Sequence, residues 1–162
     1  MSEQSTARHP VTQIGVRLLV GSSLLSASDD PLFLGLRGPG GREFRLAMAR
    51  GPFLRRGRED LFLLGAADDP DSNVAHPELN DPTSPAIDVS TIEGIYLRKG
   101  LDPIPNVRAL GELDDRLEIA LVAIEVHAAG RPKPLRFERS GPIWLGLVCG
   151  LSFEIPRSDT AS

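Results

Sequence analysis

Over residues 143–155 every odd position is apolar: Ile143, Leu145, Leu147, Cys149, Leu151, Phe153 and Ile155. A period of two is what an extended chain with one buried and one wetter face produces, whereas a helix repeats every 3.6 residues. This is the longest regular alternation in the chain, and it reads as a strand interrupted near Gly150. The same period recurs upstream. Ile14, Val16, Leu18 and Val20 share one side of residues 12–20, and Leu32, Leu34 and Leu36 share one side of residues 32–37. Phe44, Leu46 and Met48 form a further set, and the glycine corner at 38–41 supplies the positive φ that a hairpin turn needs. Residues 60–64, 87–98 (through Ile95 and Leu97) and 135–137 add short strands. In residues 117–126 the apolar phase moves from Leu117, Ile119 and Leu121 to Val122, Ile124 and Val126. A helix can carry that pattern too. A strand with a bulge near Leu121 and Val122 accounts for the one-residue slip. Eight strands and no strong helix predict an all-β protein, an eight-stranded antiparallel sandwich of two sheets.

A chain of 162 residues fits one domain able to bury roughly 70% of its unfolded surface. The reading places a disordered tail at 1–10, one domain at 11–156 and a second tail from 157. With 16 Gly and 14 Pro, turns are frequent, which suits short strands. A net charge of −4 is not that of a protein built to track nucleic acid, and one cysteine excludes an internal disulfide. Neither an apolar leader nor an 18-residue apolar run is present, so a cytoplasmic protein, at most peripheral to a membrane, is expected.

Charge is distributed unevenly. Six arginines and one acid fall within 42–58, then nine acids and no Lys or Arg within 59–97. One reading pairs a basic hairpin with an acidic loop inside the fold. The other leaves a basic rim for anionic headgroups or an acidic protein. The segment 66–86 holds four prolines and five acids, and a loop of that length in a compact domain is often functional. Its Asp69-Pro-Asp71-Ser-Asn73 run fails as an EF-hand, because the sixth position is Val74 and the twelfth Asn80. A looser oxygen-ligand site stays open. Leu24 and Leu25, among small polar residues, are either core-facing or a loop tip that enters a bilayer or groove.

Catalytic chemistry finds little support. Cys149 on an apolar phase reads as a buried, inert thiol, and Trp144 as a core anchor. His9, His76 and His127 are too dispersed for metal spacing, and no nucleophile elbow, phosphate loop or dinucleotide fingerprint occurs. The carboxylate pairs Asp29 and Asp30, Asp68 and Asp69, and Asp114 and Asp115 all fall in loops, where Asp serves its own backbone. We expect no enzyme.

The order of motifs resembles the PLAT family (polycystin, lipoxygenase, alpha-toxin). The matching pieces are Ile14-Gly-Val-Arg-Leu-Leu-Val-Gly, Asp29-Asp-Pro-Leu-Phe-Leu-Gly-Leu, Gly41-Arg-Glu-Phe-Arg-Leu and Phe53-Leu-Arg-Arg-Gly-Arg-Glu-Asp-Leu-Phe. Ile92-Glu-Gly-Ile-Tyr-Leu-Arg-Lys, Asp114-Asp-Arg-Leu-Glu-Ile-Ala-Leu-Val and Ile143-Trp-Leu-Gly complete the series, which spans about residues 12 to 155. The chain departs from the family at Ala27-Ser28, where Gly-Thr is usual, and at Leu117, where Trp is frequent. The resemblance implies two four-stranded sheets and a non-catalytic role in binding membranes or proteins. It also implies that Asp29, Asp30, Asp114 and Asp115 occupy regions that can ligate calcium, the one cofactor to be considered.

Together these readings predict an adaptor that docks onto a protein partner within a larger assembly, with no nucleic-acid partner. The alternative is targeting to an anionic membrane, with calcium assisting. The contact residues expected are Arg50, Phe53, Leu54, Arg55, Arg56 and Arg58 of the arginine-rich turn, with Leu24 and Leu25.

Overall fold

The alternating segments become eight strands in two four-stranded antiparallel sheets. The computed structural model describes residues 8–24, 30–100, 116–147 and 149–159. In chain order the strands are β1 (Val11–Val20), β2 (Leu32–Arg37), β3 (Glu43–Arg45), β4 (Glu59–Leu64), β5 (Gly94–Lys99), β6 (Leu117–Ala128), β7 (Leu135–Leu145) and β8 (Ser152–Ile155). One sheet runs β4-β1-β6-β7 and the other β3-β2-β5-β8. Among the described residues the only helical element is a 3-10 turn at Val89–Thr91, capped by the Asp88 side chain accepting from the Ser90 N–H.

The inner face of each sheet is the apolar phase of its strands. Ile14, Val16, Leu18 and Val20 of β1 meet Phe62 and Leu64 of β4, and Leu117, Ile119, Val122, Ile124 and Val126 of β6. The second sheet contributes Leu32, Leu34, Leu36, Phe44, Ile95, Leu97 and Ile155 to the same core. Each such side chain, fully removed from water, contributes about 1.5–3 kcal/mol. The phase slip in β6 is a register irregularity against β7 between Ile119 and Leu121. It lies one step earlier than the sequence suggests.

The long alternation over 143–155 divides between the two sheets. Residues 143–145 complete β7, the chain reverses through a turn closed by paired bonds between Gly146 and Gly150, and β8 joins the opposite sheet beside β5. Parity survives the reversal, so the alternation looks unbroken. Two expectations are corrected as a result. Cys149 is exposed, because it lies in the turn. Trp144 is half-buried and lies under the Arg116 guanidinium, with 5.9 Å from Cζ to the ring centroid. At the ends, His9 accepts from the Val89 N–H and Ser158 donates its N–H to Arg136, so 8–10 and 157–159 attach to the sandwich.

The acidic segment 66–86 closes one open side of the sandwich. Asn73 acts as a peptide group against edge strand β4: its Oδ1 accepts from the Leu63 N–H (2.9 Å) and its Nδ2 donates to the Leu61 carbonyl (2.8 Å). Asn80 does the same for edge strand β3, accepting from the Arg45 N–H (2.7 Å) while donating to the carbonyls of Ala75 and His76. A bridge between Met48 and Val74 joins the two halves. Covered edges cannot template pairing with another chain.

Candidate functional site

Strand register gathers four connections at one end of the sandwich. Leu19 pairs with Glu59, Leu117 with Leu145, Leu32 with Lys99 and Arg98 with Ser152. The connections 21–31, 51–58, 100–116 and 146–151 therefore leave from the same end. The turn at 51–58 is held there by a buried carboxylate. Asp60, 3% exposed and on the inward phase of β4, accepts from the Leu54 N–H at 2.7 Å and from Arg58 Nε at 2.9 Å. Leu54 adopts a positive φ of 52°. A non-glycine residue there costs about 1–2 kcal/mol, which the Asp60 bond helps to offset. The Gly57 N–H donates to the Gly21 carbonyl, tying this turn to the start of the 21–31 connection.

This geometry corrects one expected contact residue. Leu54 is buried at 2% exposure, because its twisted backbone turns it into the core. Phe53 is half-buried, edge-on to Phe62 at 6.3 Å and 84°. The arginines face outward: Arg50, Arg55, Arg56 and Arg58 are all exposed, Arg58 partly committed to Asp60. Leu24 is 88% exposed at the same end, and Leu147, absent from the expected set, is 70% exposed in the 146–150 turn. Leu25, Asp29, Asp114 and Asp115 lie outside the described residues. Asp30 is buried and its Oδ2 accepts from Lys99 Nζ in an ion pair whose side chains are 1% and 2% exposed.

Sequence reasoning missed Asp60 and Lys99, although both carried a signal. Each is a charged residue in an otherwise apolar phase, Asp60 with Phe62 and Leu64, Lys99 with Ile95 and Leu97. A charge placed in a core phase requires a partner, and both have one.

The charge asymmetry resolves inside the fold in part, at Arg42. The Arg42 guanidinium donates to the carbonyls of Asp81 (2.5 Å) and Pro85 (2.9 Å), so the basic hairpin and the acidic segment do meet. Burial pulls the Asp81 carboxyl up, but hydrogen bonds from Thr83 and Ala67 and the nearby Arg42 together hold it below the usual carboxylate range. The candidate oxygen-ligand run is engaged by its own backbone: Asp69 accepts from the Asp71 N–H and Asn73 is spent on β4.

The outer faces of the two sheets differ. On the second sheet Arg98 donates twice to Glu43 (2.7 and 2.6 Å), Tyr96 donates its hydroxyl to the same carboxylate, and Arg98 stacks over Phe33 at 4.5 Å. The Arg98 bond, with Tyr96 adding to it, holds the Glu43 carboxyl below its ordinary range, and Glu43 in turn raises Arg98. Tyr96 lies flat on Gly35, where a Cβ would sit 2.0 Å from the ring. That face is sealed by its own side chains. The first sheet instead carries an open cleft of about 550 Å³, floored by Gly15 and Ala123 with Leu61 and Leu63 on its β4 side. Arg136 and His127 flank Glu125 there, at 2.9 and 3.6 Å.

Among the described residues, no three His, Cys, Asp or Glu side chains converge as a metal site. No described helix is long and apolar enough to cross a membrane. The arrangement offers exposed apolar tips and guanidinium groups, which suit surface recognition.

No family model matches the chain, and no curated protein sequence does. The fold has clear counterparts. Alpha-toxin from an avian strain of Clostridium perfringens superposes with a TM-score of 0.57 at 14% identity, over 96% of this chain and 34% of that one. Alpha-toxin from Clostridium absonum gives 0.57 at 13%, over 95% and 33%. Coral 8R-lipoxygenase, in which calcium activates through a C2-like domain, gives 0.55 at 12%, over 90% and 17%. The fold is thus the PLAT-like β-sandwich the motif order implied. The chain spans about a third of the toxins and a sixth of the lipoxygenase, and the shared region excludes their catalytic domains.

Proposed function

We propose that this PLAT-like sandwich is a non-catalytic docking module that meets an anionic membrane surface with the end bearing Leu24, Leu147 and the arginine turn. One observation carries the reading: two strongly exposed leucines project from the same end as Arg55 and Arg56, in a turn pinned by Asp60. A leucine buried in a bilayer interface contributes about 1.5–3 kcal/mol, and each arginine near an anionic surface about 1 kcal/mol. Two leucines and two or three arginines give reversible, salt-sensitive binding rather than permanent anchoring. Flotation with phosphatidylserine-containing vesicles tests this. Binding that falls in L24S, L147S and R56E and reverses with salt is expected; no flotation at low salt defeats the proposal.

The adaptor reading has its own support in the cleft on the first sheet. There Leu61, 49% exposed, stands beside a floor of Gly15 and Ala123, while the opposite sheet covers its aromatics. A protein partner seated on that face would be lost on L61E and untouched by L24S.

A further inference from the structure

The resemblance raises calcium at the acidic turns, and the coral lipoxygenase is activated by calcium through a C2-like domain; the side chains at Asp30 test whether that ion fits here. Lys99 continues the inward phase of Ile95 and Leu97, pairs with Leu32 at the start of β2, and carries its ammonium into the end of the core. Its backbone is fixed on both sides: the Lys99 N–H donates to Leu151 and the Gly100 N–H to Pro31, each at 2.7 Å. The Asp30 carboxylate it meets is as buried as the ammonium. Calcium takes six to eight oxygens and sits about 2.3–2.6 Å from a carboxylate oxygen. Here an N–H donor with a positive charge already stands against Asp30 Oδ2. A divalent ion on that oxygen would have to displace an ammonium whose side chain is 1% exposed. Asp30, the one of these acids among the described residues, does not fit calcium.

We infer that Lys99 is the resident cation at Asp30, a covalent replacement for a metal ion, so that the Asp30 side of the docking end is assembled without calcium. The inference explains a lysine at 1% exposure in a core phase, where lysine is otherwise rarely found. Its structural part stands alone; only its bearing on docking rests on the membrane reading.

Thermal unfolding in EGTA and in millimolar calcium tests it. The wild-type melting temperature should be the same in both. A site filled a hundredfold above its Kd would raise it by several degrees, and such a rise would overturn the inference. K99M should melt well below wild type, because it removes the ammonium from a buried carboxylate, and D30N/K99M should recover part of the loss. Should K99M not fold, a folded D30N/K99M gives the same answer. K99M melting with wild type would refute the role of Lys99. In flotation, wild-type binding should be equal with EGTA and calcium. Calcium-dependent flotation would contradict the inference, whereas no flotation in either condition removes the membrane reading and leaves the melting result to decide.

Discussion

Asp60→Ala is the perturbation that asks most of the arginine turn. The carboxylate is 3% exposed and accepts two bonds, from the buried Leu54 N–H and from Arg58 Nε, whose side chain is 46% exposed. Alanine leaves the Leu54 N–H without its acceptor, a cost of about 1–3 kcal/mol. The half-exposed Arg58 contact adds at most about 1 kcal/mol, since solvent screens it. The sum is about 2–4 kcal/mol, or a fall in melting temperature of roughly 5–15 °C for a domain of this size. Asp60→Asn keeps an oxygen for Leu54 but turns an NH2 donor toward Arg58 Nε and loses the Arg58 contact, so it should cost about 1 kcal/mol, as should Arg58→Ala. Urea unfolding with an unchanged slope measures all three. If Asp60→Ala costs under about 1 kcal/mol, or Asp60→Asn costs as much as Asp60→Ala, the Leu54 bond does not hold the turn.

Neighbouring leucines should separate cleanly. Leu54→Ala should lose about 2–5 kcal/mol as a core truncation, whereas Leu24→Ser should change stability by no more than about 0.5 kcal/mol; chemical denaturation reads both. Asn80→Ala, which removes three hydrogen bonds at the β3 edge, should cost about 2–3 kcal/mol and increase hydrogen exchange at the Arg45 amide. For pH, the folded Glu43 carboxyl lies below its unfolded value, so its contribution is complete above about pH 4.3 and is lost as pH falls through the folded value. Glu43→Gln should therefore destabilise at neutral pH and flatten the acid limb of a melting-temperature profile. A parallel acid limb in wild type and variant would contradict that linkage.

The sandwich was legible because its strands bury one face each, and a period of two survives in sequence wherever that holds. β1 and β6 show this, including the bulge that moves the inward phase from Ile119 to Val122. Alternation fails where parity is conserved across a reversal. The turn between Gly146 and Gly150 returns the chain to the opposite sheet in phase, so Leu147 and Cys149 imitate core positions while facing water. It fails again where side chains replace backbone, as Asn73 and Asn80 do along the two sheet edges, since asparagine in an acidic, Pro-rich segment looks the same whether solvated or structural. Leu54 resembled a tip residue among arginines. Only the left-handed backbone and the Asp60 acceptor reveal that it turns inward. The polar residues on inward phases, Asp60 and Lys99, were readable had the alternation been followed to its charged exceptions.

Vesicle flotation at low and high salt, with phosphatidylserine present or absent, tests the docking account most directly. Wild type should float only with the anionic vesicles and be released by salt, and combining Leu24→Ser with Leu147→Ser should abolish binding without lowering the melting temperature. Undiminished flotation of that double variant, or none by wild type at low salt, would contradict it.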